Sequence, residues 1–309
     1  MALEFPTLLV IGQKGQLGFE LMRALQPLGQ VVGVDRSTCD LADAAAVDNL
    51  VATLRPDVIV NAAAYTAVDK AESDQDQAYL VNANAVKALA QSATKVGALL
   101  VHYSTDYVFD GSKASAYTED DSTSPVNVYG ASKLAGEQAI AAEWREHLIF
   151  RTTWVFGAHG GNFAKTMLKL AGARESLNVI ADQHGVPTSA ALIADVTAHI
   201  VAQYFAARTA GTASGTFPFG LYNLTAKGET TWHAYATKVI AEGIAAGLEL
   251  KAAPERVHPI PTSDYPTPAK RPHNSRLSCD KLESTFGIRL PDWTVHVEST
   301  VKLLAELKQ

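Results

Sequence analysis

The sequence has 309 residues, of which 47% are hydrophobic and 19% charged, and its formal net charge is −6. A chain of this length exceeds the usual size of one hydrophobic core, so we expect one large α/β domain with an appended lobe, or two domains. The composition excludes a disordered chain. The acidic balance argues against a nucleic-acid partner, because general binding to nucleic acid requires a clustered basic face.

The cysteines and the N-terminus indicate the compartment. Cys39 and Cys279 are too few for a disulfide framework and are not spaced as zinc ligands. The segment Met1–Pro6 contains Glu4 and lacks the apolar stretch of a signal peptide, and no uncharged apolar run approaches the ~20 residues of a membrane span. We expect a cytoplasmic protein with no membrane partner. The nine histidines show no ligand spacing, so no metal site is predicted.

Short apolar runs alternate with longer helical patterns in the first half of the chain, which is typical of a parallel sheet covered by helices. The predicted strands lie near Leu8–Ile11, Val31–Val34, Val58–Asn61, Leu99–Ser104 and Leu148–Thr152. The predicted helices between them lie near Gln16–Gln26, Ala44–Leu54, Gln75–Thr94 and Tyr129–Glu143. The pattern predicts an α/β fold with a Rossmann-like doubly wound parallel sheet and a smaller discontinuous substrate-binding lobe.

The alternation loosens beyond Thr153, although part of the later chain should return to the sheet. After a glycine-containing loop at Gly157–Gly161, the predicted helices lie near Phe163–Ala171, Leu192–Arg208, Thr231–Ala246, Asp280–Phe286 and Asp292–Leu307. The proline-rich segment Pro254–Pro272 predicts a loop that lies over another part of the protein, with the further hypothesis that it closes on substrate. We assign residues 1–156, with a returning segment at about 185–227, to a dinucleotide-binding domain, and 157–184 with 228–309 to the lobe.

A glycine turn follows the first predicted strand and opens the first helix, with the sequence Gly12-Gln13-Lys14-Gly15-Gln16-Leu17-Gly18. The first glycine permits a tight turn, the second lets the backbone approach a pyrophosphate, and the third lets the helix pack closely on the strand. The helix N-terminus then faces the phosphates. Three glycines alone are a weak signal. Their position between the first strand and the first helix predicts dinucleotide binding.

Two adjacent residues at the end of the second predicted strand favour opposite cofactors. Asp35 stands where an acidic residue bonds the adenosine ribose, which favours NADH, whereas Arg36 suits the 2′-phosphate of NADPH. The sequence therefore predicts a nicotinamide cofactor and leaves NADPH or NADH open.

A tyrosine and a lysine four residues apart, Tyr129 and Lys133, lie on one face of a predicted helix. We expect the nearby ammonium to stabilise the phenolate and so make the phenol a better acid towards a carbonyl oxygen. Such a pair is frequent on exposed helices and needs a partner. Ser104 and Thr105 provide one at the end of the fourth predicted strand, where ligands bind in parallel sheets, although either hydroxyl could instead cap a turn.

With these motifs in this order, the chain resembles the extended short-chain dehydrogenases and, within them, the dTDP-4-dehydrorhamnose reductases. The resemblance covers nearly the whole chain. The run Asn61–Asp69 is among the motifs that carry it, and its more specific marks are the runs Ser104–Gly111, Arg151–Gly157, Asn162-Phe163 and Arg271–Leu277.

The resemblance implies roles for individual residues. It implies that Thr105, Tyr129 and Lys133 form the catalytic triad, with Lys133 also bonding the nicotinamide ribose. Together with the turn, the implied cofactor residues are Gly12, Gln13, Gly15, Gln16, Leu17, Gly18, Asp35, Arg36, Asp40, Leu41, Ala62, Ala63, Ala64, Tyr129 and Lys133. The implied substrate residues are Thr105, Asp106, Tyr107, Trp154, Asn162 and Arg271.

The implied reaction is hydride transfer from NADPH or NADH to C4 of dTDP-4-dehydro-β-L-rhamnose, giving dTDP-L-rhamnose. A reductase or epimerase of another nucleotide sugar is the nearer alternative, and a non-catalytic nucleotide-binding subunit is the more distant one. The expected partner is a small-molecule dTDP-sugar, and the expected assembly is a monomer or a homodimer. The resemblance carries no metal site onto this chain.

Overall fold

The structure is a computed structural model that describes residues 5–211 and 216–307. The strands are β1 (Thr7–Ile11), β2 (Gln30–Val34), β3 (Val58–Asn61), β4 (Leu99–Thr105), β5 (His147–Thr152), β6 (Val155–Phe156), β7 (Leu177–Ile180), β8 (His184–Gly185), β9 (Thr188–Ser189), β10 (Gly220–Asn223), β11 (Thr230–Thr231) and β12 (Val257–Ile260). The helices are α1 (Gln16–Ala24), α2 (Ala44–Leu54), α3 (Val68–Ala71), α4 (Gln75–Tyr79), α5 (Ala85–Val96), α6 (Val128–Glu143), α7 (Phe163–Ala173), α8 (Ala190–Thr209), α9 (Trp232–Ala245), α10 (Asp280–Phe286) and α11 (Trp293–Glu306). The first four residues of the segment Met1–Pro6 lie outside the described residues.

A six-stranded sheet in the order β10-β5-β4-β3-β1-β2 forms the centre of the molecule. Every neighbouring pair in it is parallel. The strand order reverses between β1 and β3, the position at which doubly wound sheets bind their ligands. The predicted Rossmann-like fold is therefore confirmed, and β10 is the segment that returns to the sheet.

The core follows the two faces of this sheet. Leu8 and Val10 of β1 lie in one hydrophobic cluster, whereas Leu9 and Ile11 lie in the other, as the period-two geometry of a strand requires. Helices cover both faces, so the strands are apolar throughout. A third cluster lies apart from the sheet, and its members include Phe156, Leu168, Tyr235, Val257 and Val301.

Helix α8 is long and apolar enough to meet the length and hydropathy criteria for a membrane span. Half of that apolar stretch is buried inside the protein, with Ile193 and Ile200 in the core cluster on one face of the sheet. The helix also carries Asp195, which bonds Arg23 of α1. Packing against the sheet accounts for its apolar character.

Two predictions about local structure are corrected. The predicted helix Gln75–Thr94 is interrupted by a π-helical turn at Leu80–Asn84, where Asn82 bonds the Tyr65 backbone and the Ser132 hydroxyl. The segment Pro254–Pro272 is not loop alone, because β12 within it pairs in parallel with β7. Pro259 is tolerated there because this two-stranded sheet leaves an edge on which no N–H donor is needed.

Candidate active site

A cleft of about 930 Å³ lies along the carboxyl ends of the central strands. It falls within the usual range of ligand pockets. Most of the predicted cofactor residues line it, namely Gly12, Gly15, Gln16, Leu17, Asp35, Arg36, Asp40, Leu41, Ala62, Ala63, Ala64, Tyr129 and Lys133. The structure therefore brings the glycine turn and the Tyr-Lys pair, which are separated by more than a third of the chain, to one opening.

The glycine turn fits a phosphate-binding role because its backbone has no room for side chains. Gly12 has a φ of 86°, and a Cβ atom there would lie 2.9 Å from the Ala63 nitrogen. A Cβ atom at Gly18 would collide with the Gly12 carbonyl oxygen, so this glycine supports the turn without lining the cleft. Gly15 precedes the first residue of α1, and no side chain caps that helix. The free N–H groups in the first turn of α1 suit an anionic ligand.

The Asp35 carboxylate, directly after β2, is bonded by a lysine and by a serine hydroxyl. Lys14 Nζ lies 2.7 Å from Asp35 Oδ2, and the Ser37 hydroxyl donates to Oδ1. These bonds hold the pKa of the Asp35 carboxyl well below its usual range, with Lys14 the largest cause. Gln13 points its amide at the same carboxylate, with Nε2 3.5 Å from Oδ2, rather than into the cleft. The exposed Arg36 guanidinium lies 3.5 Å from Asp40, so both signs of charge lie at this end of the cleft.

Tyr129 and Thr105 meet at the end of β4. The Thr105 hydroxyl lies close enough to act on the Tyr129 phenol, and it donates to Asp106 Oδ1 at 3.0 Å. Burial, followed by the charge of Asp106, raises the pKa of the Tyr129 phenol, so the phenol holds its proton at neutral pH. Burial also raises the pKa of Asp106 to about 6.

Lys133 is 2% exposed, and its ammonium is bonded to residues of β4 rather than to Tyr129. Its Nζ donates to the Tyr103 carbonyl at 2.7 Å and lies 3.1 Å from His102 Nε2. Burial lowers the pKa of Lys133 to about 8, against the opposing charge of Glu137. The expectation that the Lys133 ammonium makes Tyr129 more acidic is therefore wrong for this structure, because the ammonium is engaged elsewhere.

Arg271 and Tyr107 lie together beyond the catalytic pair. Arg271 donates to Asp69 at 2.7 Å and to the Tyr107 hydroxyl at 3.2 Å. The Tyr107 ring packs edge-on against Tyr129 with centroids 5.6 Å apart. Tyr107 therefore lies between Arg271, near the end of the segment Pro254–Pro272, and Tyr129.

The other two predicted substrate residues are engaged in local structure. Trp154 stacks on Trp232 with ring centroids 3.7 Å apart. Asn162 caps α7 through Lys165 N, and its amide donates to Gln16 of the glycine turn at 2.9 Å. Neither residue lines the cleft, and a role in substrate binding stays a prediction for both.

Sequence reasoning assigned no role to several residues that the structure places at the site. Lys14 stands inside the glycine turn, and its charge beside Asp35 was a usable signal. Asn61 and His102 are 1% exposed and contact Lys133 or each other. No sequence signal marked His102, because β4 is buried throughout and shows no alternation. Within residues 5–211 and 216–307, no group of three or more His, Cys, Asp and Glu side chains forms a potential metal site.

Comparison with known proteins covers almost the whole chain. The family model described as RmlD substrate binding domain matches residues 6–306. The dTDP-4-dehydrorhamnose reductase of Burkholderia thailandensis is 51% identical over 96% of this chain and 98% of its own length. The reductase of the same name from Escherichia coli K12 is 48% identical over 97% of each chain.

Solved structures agree with the sequence relatives. A dTDP-4-dehydrorhamnose reductase from Clostridium acetobutylicum has a TM-score of 0.85 at 34% identity, with 96% of this chain and 99% of that chain covered. The one from Bacillus anthracis, solved in complex with NADP, has a TM-score of 0.83 at 32% identity, with 96% and 98% covered. This chain therefore belongs to the RmlD substrate binding domain family, together with these reductases.

Proposed function

We propose that this chain reduces dTDP-4-dehydro-β-L-rhamnose to dTDP-L-rhamnose, the last step of dTDP-rhamnose synthesis, with NADPH or NADH as cofactor. The observation that carries the proposal is the convergence of Tyr129, Thr105 and Lys133 at the end of β4, beside a cleft whose other end is the glycine turn. Relatives named for this activity match the chain nearly end to end.

The cleft supports a nicotinamide cofactor through its backbone. The uncapped start of α1 offers N–H donors to a diphosphate that the turn at Gly12 lets approach, while Asp35 and Arg36 flank the adenosine end. A nicotinamide cofactor, when bound, supplies the hydride. Because Lys14 and Arg36 offset Asp35, we propose that both NADPH and NADH are accepted.

Tyr129 provides the proton. Its phenol is protonated at neutral pH and lies near Thr105, so it can donate to the oxygen of a carbonyl placed between the two side chains. Thr105 orients that oxygen, and Asp106 fixes the Thr105 hydroxyl. As the carbonyl carbon gains the hydride, the oxygen takes the phenol proton, which leaves an alcohol and a Tyr129 phenolate. Lys133 lines the same cleft without bonding Tyr129, so its proton returns to the phenolate by way of water in the cleft.

Arg271 suits the diphosphate of the sugar nucleotide, since its guanidinium can donate two bonds to one anion. In this structure Asp69 accepts from it, so substrate binding requires exchange of that partner. We propose that residues 157–184 and 228–309 form the substrate lobe around the third hydrophobic cluster, with Trp154 and Asn162 at its face towards the cleft.

We further propose a cytoplasmic enzyme that works as a monomer or a homodimer without a nucleic-acid or membrane partner. The net charge of −6 and the two free buried thiols support this view. Size-exclusion chromatography with light scattering distinguishes the two assemblies, and a particle larger than a dimer would contradict the proposal.

The test is loss of absorbance at 340 nm with NADPH, and separately NADH, when dTDP-4-dehydrorhamnose is generated in situ from dTDP-glucose. We expect oxidation of the cofactor by the wild type with dTDP-rhamnose as product, and a loss of about 10²–10⁴-fold in kcat for Tyr129→Phe. Cofactor binding without oxidation would contradict the substrate assignment, and full turnover by Tyr129→Phe would contradict the acid assignment.

A further inference from the structure

A chain of hydrogen bonds runs from the backbone after β3 to the catalytic lysine. The Ala63 N–H donates to Asn61 Oδ1 at 3.1 Å. The Asn61 amide nitrogen lies 3.1 Å from His102 Nδ1, and His102 Nε2 lies 3.1 Å from Lys133 Nζ. Lys133 then donates to the Tyr103 carbonyl at 2.7 Å. All of these side chains are nearly inaccessible to solvent, with Asn61 and His102 at 1%.

The direction of this chain is fixed at its first bond. A backbone N–H can only donate, so the Asn61 atom facing Ala63 is the oxygen and the atom facing His102 is the amide nitrogen. Nδ1 of His102 therefore accepts. Burial, and then the charge of Lys133, holds the pKa of His102 far below its usual value, so the ring is neutral and carries one N–H. That N–H is on Nε2 and points at Lys133.

The His102 N–H points at Lys133 Nζ and so disfavours the ammonium form of Lys133, because two donors then face each other. The ammonium has only donors, and it finds a single acceptor here, the Tyr103 carbonyl, with the His102 N–H opposing it. The neutral amine has a lone pair that accepts from His102 and still donates to Tyr103. The arrangement thus favours the release of a proton from Lys133.

We propose that Asn61 and His102 are positioning residues that act through Lys133, because they hold the His102 Nε2–H against Lys133 Nζ. The ammonium then more readily gives up the proton that returns, by way of water in the cleft, to the Tyr129 phenolate. This inference rests on the proposed function only where it invokes the phenolate. The step is balanced: the phenolate gains one proton, Lys133 becomes a neutral amine, and water in the cleft, which Lys133 lines, restores the ammonium.

The other charged or titratable groups around this site belong to several elements. Glu137 lies one turn along α6 and favours the ammonium, but it is bonded to Arg151 of β5 at 2.6 Å. Asp106 and Tyr107 follow β4 and act on Tyr129. Glu72 accepts from the Val128 N–H at the start of α6. Burial raises the pKa of the Tyr103 phenol, which shares a hydrogen bond with Thr197 of α8.

The first experiment reads the His102 ring directly in the full-length enzyme without substrate. Long-range ¹H–¹⁵N correlation spectra of histidine-labelled protein report which ring nitrogen carries the proton, with His102→Gln used for assignment. We expect the Nε2–H tautomer in the wild type and the Nδ1–H tautomer in Asn61→Asp, whose carboxylate can only accept. A wild-type ring protonated on Nδ1 would overturn the proposal, even if no variant folds.

The second experiment follows Lys133. In protein labelled with ¹³Cε-lysine, with Lys133→Met for assignment, we expect Asn61→Asp to move the Lys133 titration midpoint upward by about one pH unit, a tenfold change in proton affinity. At saturating cofactor, the basic limb of kcat should move with it. The same substitution in a His102→Gln background measures the direct effect of the new carboxylate, and we expect less than a third of the shift there.

The outcomes separate this inference from the proposed function. A switched tautomer with an unmoved Lys133 midpoint, or an equal shift in the His102→Gln background, would show that the ring does not act on Lys133. Absence of turnover with the dTDP-sugar would contradict the proposed function but leave both spectroscopic measurements able to support or overturn the role of Asn61 and His102.

Discussion

The two ends of the cleft are built on opposite physical principles. At the glycine turn, function depends on missing side chains: the backbone of Gly12 lies against Ala63, and nothing larger than a hydrogen fits at Gly18. At the end of β4, function depends on buried polar side chains that hold one another, with Lys133 and Asp106 almost inaccessible to solvent. The turn binds through local backbone shape, whereas the catalytic edge requires partners from distant parts of the chain.

The largest effect should come from breaking a buried ion pair behind the catalytic edge. Glu137 accepts two bonds from Arg151 at 2.9 and 2.6 Å. Glu137→Gln leaves the guanidinium buried without its counter-charge, so we expect the free energy of unfolding to fall by about 3–5 kcal/mol. Urea unfolding followed by tryptophan fluorescence measures it. The exposed pair of Arg23 with Asp195 is the control, where Asp195→Asn should cost under about 1 kcal/mol. Equal losses in the free energy of unfolding for the two variants would show that burial does not make the Glu137–Arg151 pair more important for stability.

A second prediction concerns the pH dependence of stability at the catalytic edge. Burial raises the pKa of Asp106 to about 6, above its unfolded value, so the folded protein holds this proton more tightly. The stability gained from it is fully present below the unfolded pKa and is lost as the pH rises through about 6. Relative to the wild type, Asp106→Asn should gain about 2–3 kcal/mol in the free energy of unfolding between pH 4 and pH 7.

Urea unfolding of both proteins at several pH values measures this difference. Asp121→Asn is the control, because bonds from Lys113 and the Thr118 backbone lower the pKa of Asp121 to about 2 and reverse the sign of its effect. A difference between Asp106→Asn and the wild type that does not change with pH would show that folding does not raise the pKa of Asp106.

The third prediction tests the turn. In Gly18→Ala the new methyl group meets the Gly12 carbonyl oxygen, so we expect a loss of about 1–3 kcal/mol in stability and weaker cofactor binding. Gly161 lines the same cleft, and a Cβ atom there meets no atom within 4 Å, which makes Gly161→Ala a matched control. Fluorescence titration with NADPH measures the binding. Equal dissociation constants for NADPH in both variants would show that the backbone shape of the turn does not determine cofactor binding.

The smallest effect should be on cofactor choice. Asp35→Ser removes the carboxylate and frees Lys14, so the dissociation constants should move in favour of NADPH over NADH by about tenfold, the scale of one hydrogen bond to a charged group. Arg36→Ser should move the ratio in the opposite direction. Titrations with both cofactors measure it, and a ratio that neither substitution changes would place the selection elsewhere in the cleft.

Local sequence predicted the elements of the sheet and the glycine turn well, because each depends on neighbours in the chain. The strand β1, the turn after it and the start of α1 follow one another, and their geometry is set by a short apolar run and by the absence of Cβ atoms. The interruption of the helix at Leu80–Asn84 was not predictable, because it depends on contacts of Asn82 with Tyr65 and Ser132.

The sequence by itself determined the doubly wound fold and the positions of its first five strands along the chain. It also determined where the glycine turn lies and that Tyr129 and Lys133 share one helix face. Only the tertiary structure decided what Lys133 contacts. Its hydrogen-bond partners come from β4, and their orientation is set by Asn61 at the end of β3, so neither spacing nor composition encodes them. Proton affinity in a buried site depends on which donors and acceptors surround it, and these are brought together only when the sheet forms.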